Sequence, residues 1–328
     1  MAPTPFEPAR DIPSLTGKVA LVTGGNAGIG KATVRALAYH SPKAIYLCGR
    51  RHEACEATAA ALRQETGYES IVVLDMDLSS LKSVKTAAAA FLGRESRLDL
   101  LFLNAGVASV APTLTKEGYE AQFGINHVGH ALLTQLLLPV LLATQAASTS
   151  GGDVRDVRVV LTSSNAAFAG AALPRGGLAL DAMRTPDPFA PFTLYAHSKL
   201  ANALFARRLA ADYPSLSVTA VQPGVVKSDI WGKGAGGFFS LIMRTVMRFV
   251  WVDIDEGAKT QLWCATAKRS TSTKPGHTGD AGVVSGAFYV PVGKLQPYKG
   301  ATAKQELVDA LWDWTTEELA KHGGPGWA

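Results

Sequence analysis

Cysteine is scarce: Cys48, Cys55 and Cys264 are the three in 328 residues. An odd number without metal-ligand spacing argues against a disulfide framework or a zinc site, and leaves free thiols in a reducing compartment as the expectation. No long run of one charge occurs. The net charge is +5 and the basic residues are dispersed, which speaks against a nucleic-acid partner. A long hydrophobic run is also missing. Ala131 to Ala143 is the longest apolar stretch, and Thr134, Gln135 and Pro139 interrupt it. It reads as too short to cross a bilayer and as a buried helix continuing from Asn126. Met1 to Pro13 hold four prolines and no apolar core, so they do not read as a signal peptide. Gly326-Trp327-Ala328 carries no retention, peroxisomal or prenylation signal. A cytoplasmic location is expected. Tryptophan is missing from the first two thirds: all six, Trp231, Trp251, Trp263, Trp312, Trp314 and Trp327, fall in the last third.

What is present is a large apolar fraction, 47%, in strand-like runs separated by helical stretches. The runs lie near 18–23, 44–48, 70–75, 98–103, 157–163 and 216–222, with a short one near 286–290. This alternation predicts an α/β fold built on a doubly wound parallel sheet, of the Rossmann type. An extended arm over 1–16 and a single domain over 17–328 are expected. Thr302 to Lys321 reads as a terminal amphipathic helix, with Leu307, Leu311, Trp314 and Leu319 as its apolar contacts.

Val19 to Val22 form a buried-strand run, a glycine-rich turn follows at once, and Lys31 to Tyr39 read as a helix. That order is the context in which a glycine turn holds a dinucleotide. Gly24 suits the tight turn, Gly28 the close approach of a pyrophosphate, and Gly30 close helix packing. The helix N-terminus offers N–H groups and a positive dipole end to phosphate. An ordinary glycine-rich βα loop is the bland alternative.

Tyr195 and Lys199 stand four apart ahead of a helical run, Leu200 to Leu209. On a helix they share a face, so an ammonium can sit near a phenol. A free phenol has a pKa of about 10. A fixed positive neighbour lowers it and readies the pair for proton transfer to a carbonyl oxygen. Alone, such spacing is common on helix surfaces.

Taken together, the motifs resemble those of the short-chain dehydrogenase/reductase family. Thr23-Gly24-x-x-x-Gly28-x-Gly30, Asn104-Ala105-Gly106, Asn126, the strand ending Thr162-Ser163-Ser164, Tyr195-x-x-x-Lys199 and Pro223-Gly224 occur in that family's order over roughly residues 15 to 230. The resemblance implies an oxidoreductase. It gives Tyr195 as proton donor or acceptor, Lys199 as the group that tunes it and bonds the nicotinamide ribose, Ser164 as the holder of the substrate oxygen, and Asn126 as the anchor of a relay water. Strand alternation points Ser163 the other way. The implied cofactor set is Gly24, Asn26, Gly28, Ile29, Gly30, Arg50, Asp77, Leu78, Asn104, Ala105, Gly106, Tyr195, Lys199, Pro223, Gly224, Val226 and Ser228. No acid ends the second strand. Arg50 lies where an arginine accommodates the 2′-phosphate, with Arg51 beside it, so NADP(H) is the expected cofactor. The two arginines can also be read as solvated residues ahead of a helix. A carbonyl reductase or ketoreductase is the leading expectation. A nucleotide-bound regulatory or interaction module without turnover is the alternative. His127, His130 and His197 lack ligand partners and read as structural or solvent-facing.

Two departures from compact members stand out. Ser164 and Tyr195 are farther apart, through an insertion over 165–192 rich in proline. This longer spacing resembles the retinol-dehydrogenase-like and WW-domain-oxidoreductase-like branch. The second departure is the tryptophan-rich last third. A substrate lid is expected over 226–254, whose apolar part, 237–251, reads equally as a membrane-resting helix. A bulky, hydrophobic carbonyl or alcohol, aromatic or polyene-like, is the expected small-molecule substrate, unless the tryptophans simply pack the core. The helices around Asn126 and Tyr195 form oligomer faces in many relatives, so a homo-oligomer is open.

Overall fold

The computed structural model describes residues 5–108, 110–147, 155–174, 176–224, 253–270 and 282–328. The expected lid lies outside the described residues except for its last two positions, and so do Val226, Ser228, Trp231 and Trp251.

Among the described residues the strands are β1 Val19–Thr23, β2 Ala44–Gly49, β3 Ile71–Asp75, β4 Leu100–Leu103, β5 Arg158–Thr162, β6 Ser217–Val221, β7 Phe288–Val290 and β8 Lys294–Leu295. They form one sheet in the order β3-β2-β1-β4-β5-β6-β7-β8. Every pair is parallel up to β7, and β8 runs antiparallel to it. Strand β8 has two residues and no readable periodicity, so the sequence does not announce it. The helices are α1 Pro8–Asp11, α2 Gly28–Ala38, α3 His52–Thr66, α4 Leu81–Leu92, α5 Ala121–Ala146, α6 Pro191–Asp212, α7 Ile254–Thr266 and α8 Gln305–Lys321.

Strand alternation sorts the core into two layers. Val19, Leu21, Leu101, Leu103, Val159 and Leu161 face α4, α5, α6 and α8. Ala20, Val22, Leu100, Phe102 and Val160 face α2 and α7. Both faces are covered, which is why the strands read as continuous apolar runs.

The arm before β1 is not simply extended. It contains the turn α1, buries Ile12 and Leu15, and is tied by Glu7 to Lys259 Nζ at 2.8 Å. Helix α5 also differs from expectation. By length and composition it could cross a membrane, at 26 residues, yet 78% of its apolar window is buried within the fold. It starts ahead of Asn126 and carries a π turn over Gly124–Val128, where the Gly129 N–H reaches back to the Gly124 carbonyl. Of the polar interruptions, Thr134 is satisfied locally: its Oγ1 donates to the His130 carbonyl at 2.8 Å.

The insertion is more ordered than a surface loop. It holds single 3₁₀ turns at Asn165–Phe168, Gly170–Ala172 and Leu180–Arg184. Phe168 meets Phe288 edge-on, and the Met183 carbonyl accepts the Glu120 N–H at 2.8 Å. Helix α8 buries Val308, Leu311, Trp312 and Leu319, while Leu307 and Trp314 pack at its margin. The four described tryptophans serve packing. Trp263 abuts Tyr289, Trp312 stacks on Trp327 at 4.3 Å, and Trp314 meets Tyr119 and Phe123.

Candidate active site

The sheet order turns at β1 and β4. Successive strands run outward from β1 on one side and from β4 on the other, so a crevice opens beyond their carboxyl ends. The glycine turn lies there. Gly24 has φ +66°, and an added Cβ would sit 3.1 Å from Ala105 Cα. At Gly30 that atom would fall 2.2 Å from the Gly24 carbonyl oxygen, so turn and helix meet too closely for any side chain. Gly28, φ +50°, differs: nothing lies within 4 Å of an added Cβ. Helix α2 begins at this open position with no side-chain cap and no acid in its first turn. By contrast, Ser80 caps α4 by accepting the Ser83 N–H. Uncapped N–H groups facing open space fit a pyrophosphate.

The other described residues of the implied cofactor set lie around the same crevice. Ile29 packs into the core below α2, and the Asn26 side chain crowds Gly49 at the tip of β2. Arg50 and Arg51 follow, both exposed. The nearby acid, Asp75, is held by His52 Nδ1 at 2.9 Å, a bond that raises the histidine's pKa. Asp77 Oδ1 accepts the Ser79 N–H and hydroxyl at 3.0 and 2.6 Å, and Leu78 is buried against Gly129. Beyond β4, Thr23 fastens the Asn104 loop. Its hydroxyl accepts the N–H groups of Asn104 and Ala105, both at 2.9 Å, and its carbonyl accepts Asn104 Nδ2 at 2.9 Å. Gly106 leaves little room for a Cβ, which would lie 3.2 Å from Asn126 Oδ1 and 3.3 Å from Lys199 Nζ. Pro223 and Gly224, φ +94°, follow β6.

Helix α6 starts with Pro191 at its first turn and carries Tyr195 and Lys199 one turn apart. Lys199 Nζ donates to the Thr162 carbonyl at 2.9 Å and stands 5.7 Å from the Tyr195 ring centre. The Ser164 hydroxyl bonds the Tyr195 phenol and also accepts the Ala166 N–H at 3.2 Å. Ser163 points the other way and donates to the Lys199 carbonyl at 2.7 Å. Asn126 is fully buried. Its Oδ1 accepts the Val107 N–H at 2.8 Å, and its Nδ2 donates to the Val107 carbonyl and Ser198 Oγ, each at 2.9 Å. The structure thus brings Tyr195, Lys199 and Ser164 together and sets Asn126 behind them.

Electrostatically, burial dominates. It raises the Tyr195 pKa, and only the Ser164 bond opposes it. It lowers the Lys199 pKa to about 8. The expected lowering of the phenol by the ammonium is therefore not the leading effect, because the ammonium is aimed at the Thr162 carbonyl. All three histidines are buried and held neutral, so none faces solvent. Burial lowers His127 to about 3 and His130 and His197 to about 4. His127 Nε2 meets Thr315 Oγ1 at 2.9 Å, and His197 Nε2 accepts the Ala179 N–H at 2.9 Å.

Sequence reasoning missed Thr23, Ser198 and His130 as parts of this site. The signal for Thr23 was its place at the strand tip opposite Asn104. For His130 it was the spacing of four from Asn126 on one helix.

Comparison with known proteins gives a consistent picture. The family model described as short chain dehydrogenase matches residues 18–173. A short-chain dehydrogenase/reductase of Armillaria gallica is 37% identical over 319 residues, covering 95% of this chain and 93% of the relative. Retinol dehydrogenase 12 of Homo sapiens is 36% identical over 256 residues, 77% of this chain and 75% of the relative. Among solved structures, an NADPH-bound carbonyl reductase from chicken fatty liver superposes with a TM-score of 0.59 at 25% identity, covering 87% of this chain and all of that one, 100%.

Proposed function

The chain belongs to the short-chain dehydrogenase/reductase family, and from that premise we propose that it is an NADP(H)-dependent oxidoreductase reducing the carbonyl of a bulky hydrophobic substrate. The observation that carries this reading is the Ser164–Tyr195 hydroxyl pair with Lys199 beside it, at the end of the crevice floored by Gly28. When bound, the nicotinamide supplies the hydride. The protein's part is to hold the substrate oxygen and move a proton. Ser164 Oγ takes an N–H from Ala166 and bonds the Tyr195 phenol, so the two hydroxyls converge where the substrate oxygen would sit. Tyr195 Oη gives its proton to that oxygen as charge develops there. Lys199, the cation beside the phenol, then stabilises the phenolate. Ala108, Ala166, Leu173 and Ala196 pack around Tyr195 and keep water from the phenol.

NADPH preference is supported by exposed Arg50 at the tip of β2, with Asp75 turned away to His52. The NADPH bound in the chicken carbonyl reductase is in keeping with it. The small apolar wall beside Tyr195, together with exposed Phe192 6.5 Å from its ring, supports a bulky apolar substrate. So does the likeness to an enzyme named for retinol.

Tyr195→Phe tests the reading. Turnover of hydrophobic aldehydes and ketones with NADPH should fall by about 10²–10⁴-fold, while thermal stabilisation by NADPH persists. A variant that keeps full turnover would overturn the proton-donor role. Wild type that binds NADPH yet reduces nothing would point to a nucleotide-sensing module.

A further inference from the structure

His130 lies at the point where the cofactor floor and the catalytic helix meet. Its Nε2 stands 2.9 Å from Thr23 Oγ1, and its Nδ1 3.0 Å from the Asn126 carbonyl oxygen. Counting lone pairs fixes the proton. The Thr23 hydroxyl already accepts two N–H groups, from Asn104 and Ala105. Both lone pairs are then used, so it can only donate. The Phe102 carbonyl, at 3.3 Å, is the poorer target and His130 Nε2 the better one. Nε2 is therefore unprotonated. At the other ring nitrogen the partner is a carbonyl, which can only accept, so Nδ1 carries the hydrogen. The two ends of the ring independently demand the same neutral tautomer. A cationic ring would aim Nε2–H at an oxygen with no lone pair left, close enough to Lys199 for its charge to oppose protonation.

We infer that His130 is a positioning residue that locks the Asn104 loop to the π turn of α5 through one directed chain: loop N–H to Thr23 Oγ1, Thr23 O–H to His130 Nε2, His130 Nδ1–H to the Asn126 carbonyl. The chain rests on the functional reading above, because it joins the proposed cofactor floor to the proposed catalytic group. It sets where the Asn126 carbonyl lies, and through the Asn126 amide it reaches Ser198 and the α6 turn that bears Tyr195.

Two substitutions divide the ring into its halves. His130→Asn keeps a donor near the Nδ1 position but cannot reach Thr23. His130→Gln can present an acceptor to Thr23 but leaves the Asn126 carbonyl without its donor. His130→Asn should weaken NADPH binding about tenfold, read by fluorescence titration, with kcat within about threefold, since tenfold corresponds to the loss of about one good hydrogen bond. His130→Gln should do the reverse, lowering kcat about tenfold at nearly unchanged NADPH Kd. Identical behaviour of the two variants, whether both unchanged or both equally impaired, overturns the inference. ¹⁵N-histidine NMR of the cofactor-free wild type provides a second arm. The His130 signals, assigned by their loss in His130→Asn, should show protonated Nδ1 and bare Nε2 throughout the neutral range. An Nε2–H tautomer would refute the chain even if the protein proved to have no reductase activity. Failure of wild type to bind NADPH would sink the functional reading and leave the tautomer to decide the inference.

Discussion

The two walls of the crevice are made of different material. On the side of β1, β4 and α2 the surface is mostly backbone: the open face at Gly28, the uncapped start of α2, and a loop pinned by one threonine hydroxyl. On the side of β5 and α6 it is side chains, among them a buried lysine, a buried phenol and the half-buried Ser164. A backbone wall depends on what is left out at a few glycines, and the residues that make it are close in sequence. A wall of buried ionisable groups carries a desolvation cost. That cost must be offset by packing recruited from far along the chain. The insertion and α8 supply it: His197 is bonded by Ala179, His127 by Thr315, and Arg184 and Lys321 close on buried Glu318.

Acid should separate the walls most strongly. His127, His130 and His197 have folded-state pKa values of about 3, 4 and 4, below the ordinary value near 6.5. The folded state therefore binds fewer protons than the unfolded state between those limits. Stability is full above about pH 6.5 and is lost as pH falls towards 4, by up to about 1.4 kcal/mol per pH unit for each ring and about 4 kcal/mol per unit for the three. Urea unfolding at pH 7, 6 and 5 measures the slope. His127→Leu, on the side-chain wall, should reduce it by about a third; an unchanged slope would mean that this ring is not buried neutral.

Lys199 acts with the same sign in a higher pH window. Its folded-state value, about 8, lies below the unfolded value near 10.4. Charging it inside the fold costs stability at neutral pH, and the cost fades as pH rises from about 8 towards 10. Lys199→Met should thus stabilise the cofactor-free protein at pH 7, by up to about 3 kcal/mol, and lose that advantage by pH 10. The Thr162 carbonyl keeps Asn202 Nδ2 as donor at 3.2 Å, so no orphan acceptor confuses the result. A variant that is less stable than wild type at both pH values would show that the lysine is better solvated than its burial implies.

Legibility in the sequence follows the same division. The parallel strands and the glycine turn were readable because each depends on local spacing and on rules of alternation, while Tyr195, Lys199 and Ser164 were picked out by the order of the motifs they belong to. The sheet's last strand, β8, was not, since two residues carry no period. The π turn in α5 was hidden because an i→i+5 bond leaves no pattern distinct from an ordinary helix. Thr23 and His130 escaped because their meaning lies in hydrogen bonds between segments distant in sequence. The tryptophans stayed ambiguous for a related reason: clustering in the last third fits a substrate wall or core packing alike, and Trp312, Trp314 and Trp327 close the core around α8.

Gly106 lies where the walls touch. Gly106→Ala places a methyl against Asn126 Oδ1 and Lys199 Nζ, at 3.2 and 3.3 Å. Neither partner is free to retreat, since each is held by its own hydrogen bonds. Overpacking of this kind costs about 1–3 kcal/mol, and the thermal midpoint of the cofactor-free protein should fall accordingly. An unchanged midpoint would show that one wall yields to the other.

The smallest effect on the fold should come from Arg50, which is exposed. Arg50→Ala should leave the melting temperature of the cofactor-free protein unchanged. Its effect is confined to the ligand: the preference for NADPH over NADH should drop about tenfold, as expected when one charge-assisted bond to a 2′-phosphate is lost. Because the site is open to solvent, salt screens it. The drop should be larger at low ionic strength and should shrink as salt is added, with NADH affinity barely affected. A preference that survives the substitution would move 2′-phosphate recognition to Arg51 or to the backbone of the glycine turn. The cofactor wall would then select its ligand, as it positions it, without relying on the Arg50 side chain.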